Sequence, residues 1–254
     1  MISDRLKFVS DMVKVNGCLA DVGCDHAYTD IWLIKQKRIK KAIAMDVRPG
    51  PLEKAYEHVK MYGLEEFIDI RLSDGLDNLN ENEADSVLIS GMGGLLTVKI
   101  LEEGIHKLKG VKELILSPQS DVFQVRRFLE YIGFYIDYED MVKDAGKFYV
   151  GIHAINKQSE DMDLSDLDEF KVSSEKIMSS VNPVDNDELS EQFFVYKYGR
   201  YLLDNKPPVF MEFIEKEMLR IKSVLDGMEK GNNTFNSRYM ELKSEYEFLK
   251  GHLI

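Results

Sequence analysis

Asp21-Val22-Gly23-Cys24-Asp25-His26-Ala27-Tyr28 follows the short apolar run Cys18, Leu19 and Ala20, and this stretch decides the fold. An acidic residue closing a buried strand, then a glycine turn opening into a helix, brings backbone amides and a carboxylate to a nucleotide-like ligand. The pattern recurs downstream. Asp46 ends the next apolar run, Ser73-Asp74-Gly75 follows a third, and Ser90-Gly91-Met92-Gly93-Gly94 follows a fourth. Apolar run, polar turn and helical stretch in alternation predict an α/β fold whose sheet is covered on both faces.

Strands are expected at Cys18 to Val22, Ala42 to Asp46, Phe67 to Leu72, Ser86 to Ser90 and Glu113 to Ser117. Ser3 is placed to cap a first helix ending at Asn16-Gly17. Further helices are expected at Thr29 to Gln36, Pro51 to Tyr62, Leu95 to Leu108 and Asp121 to Tyr131, with Pro51 as a first helical residue. Phe134 to Val142 and Phe148 to Ile155 flank a glycine-bearing break at residues 143–147 and predict an antiparallel hairpin. Dinucleotide-binding dehydrogenase folds keep a sixth parallel strand there, whereas a hairpin at the sheet's end resembles the class I methyltransferases.

Residues 157–190 are acidic, Ser-rich and poor in aromatics, and read as a linker or insertion. Residues 191–254 read as helical: Glu191 to Leu203, Pro208 to Lys230, and Phe235 to Lys250 with Thr234 as its cap. In the second of these Phe210, Phe213, Ile214, Met218, Ile221, Leu225 and Met228 recur at helical spacing, so it is expected to pack on the third as an antiparallel hairpin. Three segments follow: 1–156, 157–190 and 191–254.

A chain of 254 residues with 44% hydrophobic content can bury a substantial core. No apolar run reaches membrane-spanning length, and Met1-Ile2-Ser3-Asp4-Arg5 lacks the core of a signal peptide, so a cytoplasmic location and no membrane partner are expected. Cys18 and Cys24 form neither a disulfide framework nor a zinc set, and no metal is expected. The net charge of -12 argues against a polyanionic partner, but residues 157–191 hold 3 basic and 11 acidic side chains, and residues 192–254 hold 10 and 9. One segment carries most of the excess acid.

The turn after Asp21 lacks the second and third glycines of the dinucleotide fingerprint, so a cofactor without a pyrophosphate fits it better. S-adenosylmethionine is such a cofactor: its amino-acid end needs a turn backbone, and its ammonium and ribose need carboxylates. Asp46 is placed to accept ribose hydroxyls; alternatively it pairs with Arg48 or caps the following helix. Asp74 is placed to meet an adenine amino group, or forms a plain Asp-Gly turn. In Ser90-Gly91-Met92-Gly93-Gly94 a tight turn explains one or two glycines, and close backbone approach to a planar group explains the third.

Together Arg5-Leu6, Ala20 to Tyr28, Asp46-Val47, Gly50-Pro51-Leu52, Arg71 to Leu76, Gly91-Met92-Gly93-Gly94 and Ser117-Pro118-Gln119 resemble the bacterial TrmK family. The likeness spans residues 1–156 by motif and 191–254 by helical pattern; Cys24 stands where a small polar residue is common. It implies a class I methyltransferase (Rossmann-like) seven-stranded sheet with a C-terminal α-helical, coiled-coil-like domain. It also implies methyl transfer from S-adenosylmethionine to N1 of adenine 22 of tRNA. Carried onto this sequence, the cofactor contacts are Asp21, Gly23, Cys24, Asp25, His26, Asp46, Val47, Ser73, Asp74, Gly75, Ser90 and Gly91. Gly91, Met92, Gly93 and Gly94 stand where related amino-methyltransferases keep an Asn/Asp-Pro-Pro-aromatic motif and are expected to hold the base. His26, Tyr28 and Gln119 are expected to orient the adenine or to take its N6 proton. For His26 a turn-locking role, and for Tyr28 plain packing, stand beside catalysis.

Lys35, Lys37, Arg38, Lys40 and Lys41 form the densest basic cluster, and Lys197, Arg200, Lys206, Lys216, Arg220 and Lys222 a second. Both read as solvated faces or as phosphate contacts for tRNA. A monomer is expected, with a dimer through the helical hairpin as the alternative. The rival functions are a small-molecule methyltransferase and a noncatalytic RNA- or protein-binding subunit on the same fold.

Overall fold

The computed structural model describes residues 2–156, 191–232, 234 and 236–253, so the acidic segment lies outside the described residues. β1 (Cys18–Val22), β2 (Lys41–Asp46), β3 (Ile68–Leu72), β4 (Ser86–Ser90) and β5 (Glu113–Ser117) run parallel. β6 (Phe134–Asp144) and β7 (Lys147–Asn156) complete one sheet in the order β3-β2-β1-β4-β5-β7-β6, with β7 antiparallel to both β5 and β6. The expected seven strands and closing hairpin are present. The break between β6 and β7 is shorter than expected, because Ala145 (φ 47°) and Gly146 (φ 80°) alone make the turn. Two successive left-handed residues match the twist of paired strands.

Helices α1 (Asp4–Asp11), α2 (Tyr28–Lys35) and α3 (Pro49–Met61) cover one face. Val9, Met12 and Val13 meet Ile31, Leu33, Leu52, Ala55 and Val59 over Leu19, Ala42, Ala44, Leu88 and Ile115. These strand residues share one parity, so Asp21 lies on the same face as Leu19. α4 (Gly94–Glu103), which a 3₁₀ turn at Ile105–Leu108 follows, and α5 (Val122–Tyr131) complete this unit. α5 is tied to β6 by Arg126, whose Nε donates to buried Glu139 at 2.8 Å.

Several boundaries differ from the sequence reading. Ser3 does cap α1, accepting the Leu6 amide, but the helix ends at Asp11 rather than at Asn16-Gly17. The Lys14 and Val15 amides leave helical geometry to donate to Glu113 at 3.0–3.2 Å. Gly17 instead makes room for a neighbour, since a Cβ there would lie 2.1 Å from the Asp85 carboxylate, which accepts the Cys18 amide. α3 starts at Pro49, leaving Pro51 inside its first turn, and Gly104 interrupts the expected helix 95–108.

The C-terminal unit, considered by itself, holds α6 (Glu191–Tyr198), α7 (Arg200–Asn205), α8 (Pro208–Lys230) and α9 (Ser237–Leu253). Gly199, at φ 89°, splits the expected helix 191–203 in two. The cap of α9 is Asn236, whose side chain accepts the Tyr239 amide, and not Thr234; Phe235 lies outside the described residues. α8 and α9 pack on each other as expected, burying Phe210, Ile214, Ile221, Leu225, Leu242 and Leu249. Buried Glu245 accepts from Tyr198 and Lys197 and ties α9 to α6. Among the described residues no helix is long and apolar enough to cross a membrane.

At the strands' N-terminal edge a buried charge network closes the sheet. Glu113 accepts from the Val15 amide, Ser86 Oγ and His153 Nε2, and His153 Nδ1 donates to Asp137 at the β6 bulge. Both imidazole nitrogens meet carboxylates, so the ring is a cation. Burial opposes that charge, but Glu113 and Asp137 outweigh it and raise the His153 pKa. Burial likewise opposes charge on Glu113, yet its donors hold its pKa below the usual value. The His153 contribution is complete below the ordinary histidine pKa of about 6.5 and is lost as pH rises through the raised folded value. The Glu113 contribution is present above about 4.5 and is lost as pH falls through the lowered folded value. His153→Ala is therefore expected to cost about 3 kcal/mol in urea unfolding at pH 5.5. A cost at pH 8.5 as large as at pH 5.5 would show that the imidazole acts uncharged.

Candidate functional site

Chain order reverses between β1 and β4: from β1 the chain builds outward to β2 and β3, then returns to β4 and β5 on the other side. Open α/β sheets bind ligands outside the carboxyl ends of their strands at such a switch point. A cleft of about 270 Å³ lies there. Val22, Gly23 and Asp25 line it from β1, Asp46, Val47 and Arg48 from β2, Ser73, Asp74 and Gly75 from β3, and Ser90, Gly91 and Met92 from β4. Arg5, Leu96 and Ile100 complete the lining.

The turn after β1 is held by one acceptor. The Met45 carbonyl takes the Gly23 amide at 2.8 Å and the Cys24 amide at 3.0 Å. Those two amides are thus consumed by the fold, which removes them as anion donors and with them the pyrophosphate-binding use of such a turn. Asp25, His26 and Ala27 follow at φ 37°, 71° and 59°, three left-handed non-glycine residues in a row. Each costs roughly 1–2 kcal/mol. His58 offsets part of this cost, its Nδ1 donating to the His26 carbonyl at 3.2 Å. Its ring stacks against Tyr28 at 4.7 Å between centroids, with the Tyr28 hydroxyl 3.5 Å from Nε2. His58 was not legible in sequence, because it lies in the last turn of α3, about 30 residues from the turn it supports.

Beneath this turn Asp21 meets Asp30 of α2. Asp21 is 4% exposed and Asp30 0%. Burial, and then the charge of Asp30, drive the Asp21 pKa well above the carboxylate range. Burial pushes Asp30 up to about 7, although its contact with Asp21 pulls the other way. Sequence reasoning missed Asp30. An acid in the first turn of a helix reads as a partner of the helix dipole, and only packing shows that it points inward. Cys24 is buried against Asp21, Asp30 and Asp46, and burial pushes its thiol pKa up, so it stays protonated and unreactive.

Asp46, 6% exposed, accepts the Arg48 amide on Oδ1 at 2.9 Å, with Arg48 Nε at 3.6 Å. It thus pairs with Arg48 and also lines the cleft. Ser73 is spent on its own turn, donating to the Gly75 carbonyl at 3.0 Å and accepting the Asn78 amide at 3.1 Å. Asp74 is exposed at the rim. Gly91 needs its φ of 83°. At Gly94 a Cβ would lie 2.4 Å from the Ser120 carbonyl oxygen, and at Gly93 3.1 Å from Ser120 Oγ. The fold itself therefore accounts for all three glycines, and Ser90, Gly91 and Met92 are the members of that stretch that line the cleft. The Gln119 amide donates to the Met92 carbonyl at 2.8 Å, and Gln119 Nε2 and an Arg5 guanidinium nitrogen each stand 3.7 Å from where a Gly91 Cβ would be.

The first basic cluster does not join this site. Residues 35–41 lead into the N-terminal end of β2, across the sheet from the cleft. Arg38 is held by the Asp11 carboxylate and the Asp11 and Val13 carbonyls, and Lys35 lies over the Tyr62 ring. In the second cluster Lys197, Lys216 and Arg220 are paired with Glu245, Glu212 and Glu217. Arg5 and Arg48, which sequence reasoning did not single out as site residues, are the cleft's cations.

The acceptor-rich lining suits a nucleoside carrying cationic groups. Carboxylates stand at three strand ends, and Ser90 Oγ, buried in the cleft wall, has no hydrogen-bond partner among the described residues. The sequence model of a family described as "Methyltransferase domain" matches residues 2–152. Over 148 residues the chain is 34% identical to the tRNA (adenine(22)-N(1))-methyltransferase of Bacillus subtilis, a stretch that spans 58% of this chain and 62% of that protein. The chain thus spans under two thirds of that curated relative's length in the alignment. Solved structures match end to end. Streptococcus pneumoniae Sp1610 in complex with S-adenosyl-L-methionine superposes with a TM-score of 0.76 at 31% identity, covering 100% of both chains. The B. subtilis m1A22 tRNA methyltransferase TrmK gives 0.77 at 25% identity, covering 100% of this chain and 99% of that one.

Glycine-to-alanine changes test the packing argument. Helix propensity favours alanine by about 1 kcal/mol, and overpacking against immobile backbone costs up to about 3. Gly94→Ala is therefore expected to lose about 2 kcal/mol in chemical unfolding. Gly227→Ala, in α8 with nothing within 4 Å, is expected to gain stability. A neutral Gly94→Ala would mean that the Ser120–Asp121 backbone yields.

Proposed function

The chain belongs to the TrmK family of methyltransferases, and we propose that it transfers a methyl group from S-adenosylmethionine to N1 of adenine 22 of tRNA. The observation that supports this most directly is the cleft at the β1/β4 switch point, walled by Asp46, Asp74 and Ser90, in a chain matched along its whole length by a structure that binds this cofactor. When bound, the cofactor supplies an electrophilic methyl on a sulfonium. Asp46, with Oδ1 spent on the Arg48 amide, keeps Oδ2 to accept ribose hydroxyls. Asp74 at the rim accepts the adenine amino group. Ser90 Oγ gains a partner.

N1 of neutral adenine already presents an in-plane lone pair, so this chain's residues need to align the base more than to deprotonate it. Gly91 and Met92, in the wall of the cleft, bring main chain within reach of a flat ring. Gln119, held by the Met92 carbonyl, orients its edge. His26 and Tyr28, which follow Asp25 of the cleft lining in the chain, orient the adenine or pass on the N6 proton of the cationic product. A base stacked inside folded tRNA must first be extruded, and phosphate contacts offset that cost. Arg5 and Arg48 serve this near the cleft; in the C-terminal unit the contacts come from Arg200, Lys206 and Lys222.

Tritium transfer from labelled S-adenosylmethionine into unmodified tRNA, with tRNA lacking adenine 22 as control, tests the assignment. Incorporation into the first alone is expected; equal incorporation into both would refute the position, and none into either would refute the RNA substrate. Asp46→Asn should weaken cofactor binding by about 10- to 100-fold, the worth of a charged hydrogen bond of about 1.5–3 kcal/mol. Calorimetry reads this directly, and an unchanged Kd would remove Asp46 from the cofactor site.

A further inference from the structure

Asp21 and Asp30 are unusual among the buried polar groups of this chain because each is an acceptor facing an acceptor. Among the described residues neither Asp30 oxygen meets a donor, although the residue is completely buried. By contrast, Glu113 is surrounded by donors and Glu139 is met by Arg126. Two carboxylates that meet out of water cannot both ionise. One proton makes them a donor and an acceptor and satisfies both.

Their surroundings deepen the deficit of positive charge. Asp25 from the turn and Asp46 from β2 add negative charge at Asp21, and the Cys24 thiol beside them stays neutral. Arg48 stands 3.6 Å from Asp46 and His26 3.5 Å from Asp25, while Arg5 lines the cleft beyond. Arg48 and Arg5 are the cations here and they reach the outer acids, so the inner pair is left with its own proton. The cleft wall at Val22 and Gly23 directly follows Asp21. Any cation entering the cleft approaches the pair through material of low dielectric, where charges interact strongly.

We propose that Asp21 and Asp30 share one proton, that loading a cationic cofactor into the adjoining cleft expels it, and that Asp30 thereby sets the site's preference for the positively charged donor. This rests on the S-adenosylmethionine reading above and assigns Asp30 a positioning role, acting through Asp21. Because the proton leaves on binding, affinity rises with pH until the pair is ionised. With one proton released on binding, affinity rises by up to about tenfold per pH unit below the pair's raised pKa and then levels. S-adenosylhomocysteine, one positive charge poorer, expels less of the proton and shows a shallower slope.

Two measurements on the full chain test this, with Asp30→Asn as the variant. Asparagine keeps the shape and offers Asp21 an amide donor, so Asp21 ionises and no shared proton remains. The first is infrared spectroscopy of the protein without ligand at pH 6. The wild type should show a protonated-carboxyl band that Asp30→Asn lacks, and identical spectra would overturn the shared proton whatever the ligand. The second is calorimetry with S-adenosylmethionine at pH 6, 7 and 8 in buffers of different ionisation enthalpy. Proton release and the rise of affinity with pH are expected for the wild type, with neither in Asp30→Asn. Binding without proton release, or the same pH profile in both proteins, would sink the linkage while leaving the cofactor reading intact. No binding at any pH, with the infrared band present, would overturn the cofactor reading and the linkage built on it, but not the buried proton.

Discussion

One carbonyl organises the cleft. The Met45 oxygen at the end of β2 accepts two consecutive amides, Gly23 and Cys24, and so bends the chain leaving β1 across the edge of its neighbour. The bend forces Asp25, His26 and Ala27 into left-handed backbone, and α2 begins only where that run ends. Everything on the floor of the site inherits its place from this bond. Asp21 is carried beneath the turn, Asp25 to its rim, and the His26 carbonyl to the imidazole of His58. Strain of this kind persists where surrounding contacts over-determine it, and here α3 supplies them.

The two edges of the sheet treat negative charge in opposite ways. At the N-terminal edge Glu113 collects backbone amides, a hydroxyl and an imidazolium, and Asp85 collects the Cys18 amide and Lys112. Those carboxylates are satisfied within the fold and hold it together. At the C-terminal edge buried Asp21, Asp30 and Asp46 are gathered with fewer donors than acceptor sites. Leaving buried carboxyl groups short of donors destabilises a fold unless a ligand or a proton makes up the difference. The contrast marks which end is structural and which is meant to be completed.

Much of this was legible in the sequence. Five apolar runs, each ending in a polar turn, correspond to the five parallel strands, and the hairpin appeared as two runs around a glycine. Most of the cofactor contacts expected on the turns, Gly23, Asp25, Asp46, Val47, Ser73, Asp74, Gly75, Ser90 and Gly91, do line one cleft. What sequence could not show was competition between partners. Asn16-Gly17 looked like a helix stop, yet Glu113, almost a hundred residues away, ends the helix earlier by drawing off the Lys14 and Val15 amides. The lysine-rich stretch 35–41 read as a solvated face or as a phosphate contact, and its position at the opposite edge follows from the direction of β2.

Sequence by itself determined the order of the strands and the turn chemistry at each strand's carboxyl end, because these depend on periodicity and on residue types within a few positions of one another; the family rested on the resemblance of its motifs. Tertiary structure alone decided that Asp30 faces Asp21, that His58 supports the His26 backbone, that Arg5 reaches the cleft and that Gly94 has no room for a methyl group. Each of these is a meeting of distant chain segments, or of faces selected by packing. The pattern along a chain says which residues are polar, and only the folded arrangement says which of them are left facing one another out of water.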